Sequence, residues 1–281
     1  MKSPKKIIPW LYRQFTSLFE VPRLMSYAQS FNAVMNGADI LSSFLINHVN
    51  LSKLAGVLSG SESVQSHYQA WSGYQASSNI LIHYYYTNIL RNFVAQDEVR
   101  TVMEIGSGNG NFASILHHDW APIRVILVDL PETLAVAIPF LSNLFPTARL
   151  LMQHEVSQHG LNSEFDFAFL TVDQVDIIQE NSVDLAINCH SFQEMTHDQI
   201  DSYFCLVQKS IKPAGLPFVA NRIEKIPCGD DALTSDQMDP LNRFAEYPWD
   251  PRNHDLVHEI SKLTRLVSLD PVAIRLQRII K

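Results

Sequence analysis

From Val99 onward the chain alternates short, almost wholly apolar runs with amphipathic segments of helical period, and this alternation constrains the fold more than any other feature. Val102 to Ile105 predicts a strand, followed by a helix from Asn111 to His118. Arg124 to Val128 predicts a second strand closed by Asp129, with a helix from Glu132 to about Phe145 behind it. Arg149 to Met152 and Phe165 to Leu170 are two further candidates, either of which can serve as the third strand of the main sheet. A strand from Val183 to Asn188, a helix from Thr196 to Ser210 and a strand from Leu216 to Asn221 continue the pattern. Strands without polar alternation, separated by helices, point to an α/β fold with a doubly wound, mostly parallel sheet. In such folds the ligand lies beyond the carboxyl ends of the strands. The rest of the chain, with Tyr247-Pro248-Trp249-Asp250-Pro251 and Leu256 to Leu269, is less regular and is expected to add strands or a lid at the sheet edge. Before Val99 the apolar-periodic stretches read as helices, and Asn79 to Val94 as a buried one. Residues 1–95 are therefore expected to form an N-terminal helical cap region over the site, and 96–281 the sheet domain.

Charge and cysteine content narrow the class. The 281 residues carry 21 Lys and Arg against 29 Asp and Glu, a net charge of −8, so a phosphate-driven grip on nucleic acid is excluded as the main role. Within residues 151–250 the balance is more acidic still, 17 acidic against 5 basic side chains. Lys2, Lys5, Lys6, Arg13 and Arg23 make the start basic, which reads as a solvated arm or a weak peripheral contact with an anionic membrane. No apolar run approaches a membrane span, and Ile7 to Tyr12, interrupted by Pro9, is too short for a secretory signal. Cys189, Cys205 and Cys228 have no metal-ligand spacing and no disulfide pattern, which fits a reducing, cytoplasmic setting.

Three of only 10 glycines fall within Gly106-Ser107-Gly108-Asn109-Gly110, between a predicted strand and a predicted helix. Glycines there let the backbone turn sharply and approach a ligand, while free amides at the helix start attract negative charge. The spacing is GxGxG, with Asn at position 111, which disfavours the GxGxxG loop of dinucleotide sites. Glu104, just ahead of the first glycine, suits a ligand with a positive ammonium or sulfonium group. Asp129, nineteen residues beyond Gly110, stands where a strand-end carboxylate accepts hydrogen bonds from ribose hydroxyls.

These features resemble the class I S-adenosylmethionine-dependent methyltransferases over residues 99 to 223. The resemblance implies a Rossmann-like methyltransferase fold with S-adenosylmethionine as cofactor. Its methionine portion would lie on the loop of Glu104, Gly106, Ser107, Gly108 and Gly110, its ribose on Asp129 and its adenine beside Leu130. A narrower likeness comes from Asp129-Leu130-Pro131-Glu132-Thr133-Leu134, Asn188-Cys189-His190-Ser191-Phe192-Gln193-Glu194-Met195, Asn221-Arg222 and Tyr247-Pro248-Trp249-Asp250. Together these resemble the bacterial sugar O-methyltransferase family, with Ser107 and Asn109 departing from its loop. The implied acceptor is a hydroxyl of a sugar or glycosylated intermediate.

Methyl transfer to a hydroxyl is an in-line displacement in which the protein aligns the reacting atoms and removes a proton. Asn188 is expected to end the strand facing the methyl group. The loop after it supplies His190 as first candidate base, Glu194 as base or orienting group, and His197 as a third. Thr171, Asp173 and Gln174 are expected near the adenine amino group. Asn221 and Arg222 are placed near the acceptor, and Tyr247 and Trp249 either stack on a sugar or anchor a lid. His154, Glu155, His159 and Asp173 have no ligand spacing, so no metal site is expected. Three readings stand beside this one: a non-sugar small molecule or lipid-linked acceptor, a nicotinamide-dependent oxidoreductase, and a non-catalytic methyltransferase-like subunit. The oligomeric state has no signature in the sequence.

Overall fold

The computed structural model describes residues 64–74, 78–225, 241–261 and 271–281. The basic start, most of the predicted helical cap and Cys228 lie outside these residues. The chain divides between Tyr86 and Thr87 into two units. Of the first unit, a helical stretch over 64–72 and the start of α1 (Ser78–Leu90) are described, with Tyr68, Ile80, Tyr84 and Tyr86 buried.

The second unit is built on an eight-stranded sheet. Its strands are β1 (Thr101–Ile105), β2 (Arg124–Asp129), β3 (Leu150–Leu151), β4 (Phe167–Thr171), β5 (Val183–Cys189), β6 (Ile211–Arg222), β9 (His254–Ile260) and β10 (Val272–Arg278). A small separate ribbon pairs β7 (Glu224–Lys225) with β8 (Asn242–Arg243). The order across the main sheet is β3-β4-β2-β1-β5-β6-β10-β9. All pairings are parallel as far as β6, and β10 then runs antiparallel between β6 and β9. Both strand candidates before residue 171 thus join the sheet: β4 pairs with β2, and the two-residue β3 lies outside it. The less regular C-terminal segment supplies β10 and the edge strand β9, which extend the sheet on that side, as expected of it.

Four helices fill the crossovers: α2 (Asn111–Trp120), α3 (Pro131–Leu144), α4 (Gln153–His159) and α5 (His197–Ser210). Pleating sends Met103, Ile105, Ile126, Val128, Ala168, Leu170 and Ala186 to one face, where they pack with Val156 of α4 and Ile200 and Leu206 of α5. The alternate residues Val102, Val125, Leu127, Phe167, Phe169, Leu185 and Ile187 are buried too, on the side of α2 and α3. Burial on both faces is what makes the parallel strands read as unbroken apolar runs. The doubly wound, mostly parallel α/β fold expected from the sequence is the fold observed. Thr196 caps α5, its hydroxyl accepting from the Gln199 amide while the Gln199 side chain accepts from the Thr196 amide.

Candidate functional site

Strand register assembles the site. Ile105 pairs with Val128 on one side and Asn188 on the other, and Asp129 pairs with Thr171. The residues that follow or close β1, β2, β4 and β5 therefore stand in one row along the carboxyl edge of the sheet. Gly106 continues the ladder by donating its amide to the Val128 carbonyl at 2.8 Å. The chain then turns through Gly106, Gly108 and Gly110 at φ of 71°, 55° and 82°, where a side chain is strained. At Gly106 a Cβ would overlap the Ser191 hydroxyl, and at Gly110 it would come within 3.0 Å of Leu141 Cδ1. At Gly108 it would meet nothing within 4 Å, so the middle of the loop borders open space.

Two polar atoms of this region are buried without a hydrogen-bond partner among the described residues: Oε2 of Glu104 and Oγ of Ser107. Burial, and secondarily the nearby Asp129 charge, pushes the Glu104 carboxyl well above the usual range, against a backbone hydrogen bond from Ala113. Asp129 lies at the end of β2 and braces the loop. Its Oδ2 accepts from the Gly108 amide at 2.7 Å and its Oδ1 from the Leu130 amide at 2.7 Å. Desolvation still raises its pKa, although these amides and Thr133 pull the other way. Leu130 is 48% exposed and Val172, just past Thr171, is 41% exposed. Two adjacent strand ends thus present apolar side chains beside the Asp129 carboxyl.

Asn188 is fully enclosed, and its side chain is engaged by protein. Nδ2 donates to the Ile105 carbonyl at 3.0 Å and to Ser191 Oγ. Oδ1 accepts from Asn221 Nδ2 at 2.8 Å and from the Phe192 amide at 3.3 Å. It ties β1, β5 and β6 to the short turn Phe192–Glu194 and does not present its amide as a ligand group. Asn221, expected near the acceptor, is likewise enclosed, its Oδ1 accepting from the Gln193 amide. Gln193 and Asn242 complete the scaffold: Gln193 Oε1 accepts from the Arg222 amide, and Asn242 Nδ2 donates to the carbonyls of Phe192, Gln193 and Met195. Neither was singled out from sequence; an amide side chain next to a strand end was the available signal.

His190 takes a left-handed conformation, φ 65°, immediately after β5, and its amide donates to the Ala220 carbonyl. Burial, then the positive charges of Arg222 and Lys225, push its imidazole down to about 4. Glu194 is ion-paired with Lys225 and accepts from Gln193. His197 is exposed on the first turn of α5 and does not join them. Thr171 N and Oγ1 both direct hydrogen bonds to Gln174 Oε1, and Gln174 Nε2 donates to Gln153 and Ser157 of α4. Gln174 is thus turned into the structure, while Asp173 is exposed. Tyr247 is buried, and Trp249 Nε1 donates to the Phe244 carbonyl while Arg275 stacks on its ring at 4.5 Å. These rings anchor their segment against Phe192, Phe204 and Phe244. A groove of about 670 Å³ passes between α5 and the 248–253 segment; no residue of the glycine loop lines it.

Neither a family model nor a curated protein matches the chain. Solved structures similar to it include a SAM-dependent methyltransferase from Aquifex aeolicus, 14% identical over 69% of this chain and 89% of that one, TM-score 0.44. An O-methyltransferase family protein from Burkholderia thailandensis is 12% identical over 72% of this chain and 57% of that one, TM-score 0.43. The 4+2 cyclase SpnF is 15% identical over 70% of this chain and 81% of that one, TM-score 0.45. The chain is a doubly wound α/β protein in which Glu104, the glycine loop, Asp129 and Thr171 lie at the carboxyl ends of adjacent strands.

Proposed function

We propose that the protein is an S-adenosylmethionine-dependent O-methyltransferase acting on a hydroxyl of a sugar or glycosylated intermediate. The observation that carries the cofactor is the pair of orphaned buried atoms, Glu104 Oε2 and Ser107 Oγ, beside a glycine loop that is open at Gly108. A buried polar atom without a partner is a cost that a polar ligand can relieve. Glu104 offers a negative partner for a ligand cation, Ser107 a hydroxyl, and Asp129 an acceptor for ribose, since the Gly108 and Leu130 amides and Thr133 together leave its carboxylate a further lone pair. Leu130 and Val172 offer apolar faces for a flat base. The sugar acceptor rests on the resemblance of the Ser191–Met195 segment, which lies against Gly106.

When bound, S-adenosylmethionine supplies an electrophilic methyl group on a sulfonium. The chain's own task is to orient the acceptor hydroxyl and take its proton. His190 is held neutral at physiological pH and can accept a hydrogen bond from that hydroxyl. Its weak basicity suits late proton transfer, because the oxonium that develops as the new C–O bond closes is a strong acid. Glu194, engaged with Lys225, fits an electrostatic role in setting the charge around His190.

Isothermal titration with S-adenosylmethionine and with NAD tests the cofactor. Binding of the former without the latter is expected; the reverse would overturn the reading. Methyl transfer to paired sugars and non-sugar alcohols then tests the acceptor, with turnover confined to the alcohols arguing against a sugar.

A further inference from the structure

Glu104 is 3% exposed, on the β1 face that α2 covers, and Oε2 of its carboxyl has no hydrogen-bond partner among the described residues. Among the described residues three groups face it: the Asp129 carboxyl on β2, the Cys189 thiol on β5 and the Ala113 amide on α2. Only the amide favours a negative charge at Glu104. The Asp129 charge opposes it, the thiol is itself raised by burial and by Glu104, and desolvation outweighs both neighbours. An ionised carboxylate in such a place requires a cation. In the loop that follows, the Ser107 hydroxyl is likewise buried without a partner among the described residues, and Gly108 borders open space.

We propose that Glu104 is a proton-exchanging selectivity residue: it is a neutral acid before a ligand binds, and it ionises as a ligand bearing a positive charge enters beside it. The Glu104 O–H bond breaks, its electron pair stays on the carboxylate, the proton passes to solvent, and the ligand's cation takes the proton's place. No electron is transferred. The inference rests on the cofactor reading above and adds to it a rule of discrimination. A cationic sulfonium nucleoside gains affinity as pH rises toward the point where the unliganded acid ionises, whereas a neutral nucleoside of the same ribose and base does not. Asp129, which both kinds of ligand would meet through the ribose, contributes equally to each.

Calorimetry on the full chain separates the cases. S-adenosylmethionine and 5′-methylthioadenosine are titrated in paired buffers of different ionisation enthalpy, acetate and MES at about pH 5 and phosphate and imidazole at about pH 7. The expected result is a buffer-dependent heat for S-adenosylmethionine, reporting release of up to one proton per ligand, and a dissociation constant that falls as pH rises, by up to about tenfold per pH unit. 5′-Methylthioadenosine should show neither effect, and Glu104→Gln should abolish both for S-adenosylmethionine. Equal proton release with the two ligands, no release with S-adenosylmethionine, or undiminished release in Glu104→Gln would each overturn the proposal while leaving the cofactor reading in place. Should neither ligand bind, the cofactor reading falls and the proposal with it. If Glu104→Gln fails to fold, the comparison of the two ligands on the unmodified protein decides alone.

Discussion

The Gly108 amide donates to Oδ2 of Asp129 at 2.7 Å, so the carboxylate expected to serve a ribose also holds the glycine loop in shape. The loop and the Asp129 carboxylate are thereby one unit, joined across 21 residues of sequence. Asp129→Ala removes acceptors for both the Gly108 and Leu130 amides, and it should lower stability by about 1–3 kcal/mol and S-adenosylmethionine affinity at least tenfold. Urea titration and calorimetry check the two effects; an unchanged dissociation constant would remove Asp129 from the ligand site.

Gly106 has no room for a side chain. Gly106→Ala combines a positive φ with overlap of the Ser191 side chain, and it should destabilise the fold by about 2–4 kcal/mol. The Ser191→Gly change made together with it removes the overlap and leaves the backbone strain, so the pair should recover part of the loss. A double-mutant cycle showing strict additivity would contradict the contact.

His190 offers a pH test with a defined sign. Its folded pKa is about 4, below the ordinary value near 6.5, so between these limits the unfolded chain binds a proton that the folded chain does not. Stability should therefore fall as pH drops from about 6.5 toward 4, and turnover at saturating S-adenosylmethionine, which in the proposed role of His190 uses the neutral imidazole, should remain level down to about pH 5. Arg222→Gln should raise the value. Nuclear magnetic resonance of the imidazole protons is the measurement, and titration near the ordinary value in the folded protein would refute the assignment.

Trp249 anchors its segment through one hydrogen bond and the stacked Arg275. Trp249→Ala should cost about 3 kcal/mol of stability and leave S-adenosylmethionine affinity unchanged. A stable variant with impaired acceptor turnover would instead give the ring to the substrate.

The parallel part of the sheet was legible because strands buried on both faces leave apolar runs that no surface segment imitates. Other elements lacked such a mark. Helix α4 spans seven residues and buries only Val156, too little for a helical period to emerge. The strand read as Leu216 to Asn221 begins at Ile211, because Lys212-Pro213-Ala214-Gly215 has the composition of a turn. The structure accommodates it as an irregularity opposite Val183 to Leu185, with Ala214 at φ 65°.

At the site the division is finer. Residue type and local order alone determined that a glycine turn would follow β1, that an acid would precede it and that a second acid would close β2, since turns and strand ends are local events. Which atoms these groups meet was decided by tertiary structure. Asn188 reads as a ligand group but spends its amide on Ile105, 83 residues away, and on Asn221, 33 residues away. Asp129 and Gly108 meet because β2 lies beside β1. Glu104 lies beyond the reach of any neutralising partner seen here for the same reason: parallel strands pair across long crossovers, and only the assembled sheet sets which side chains share its carboxyl edge.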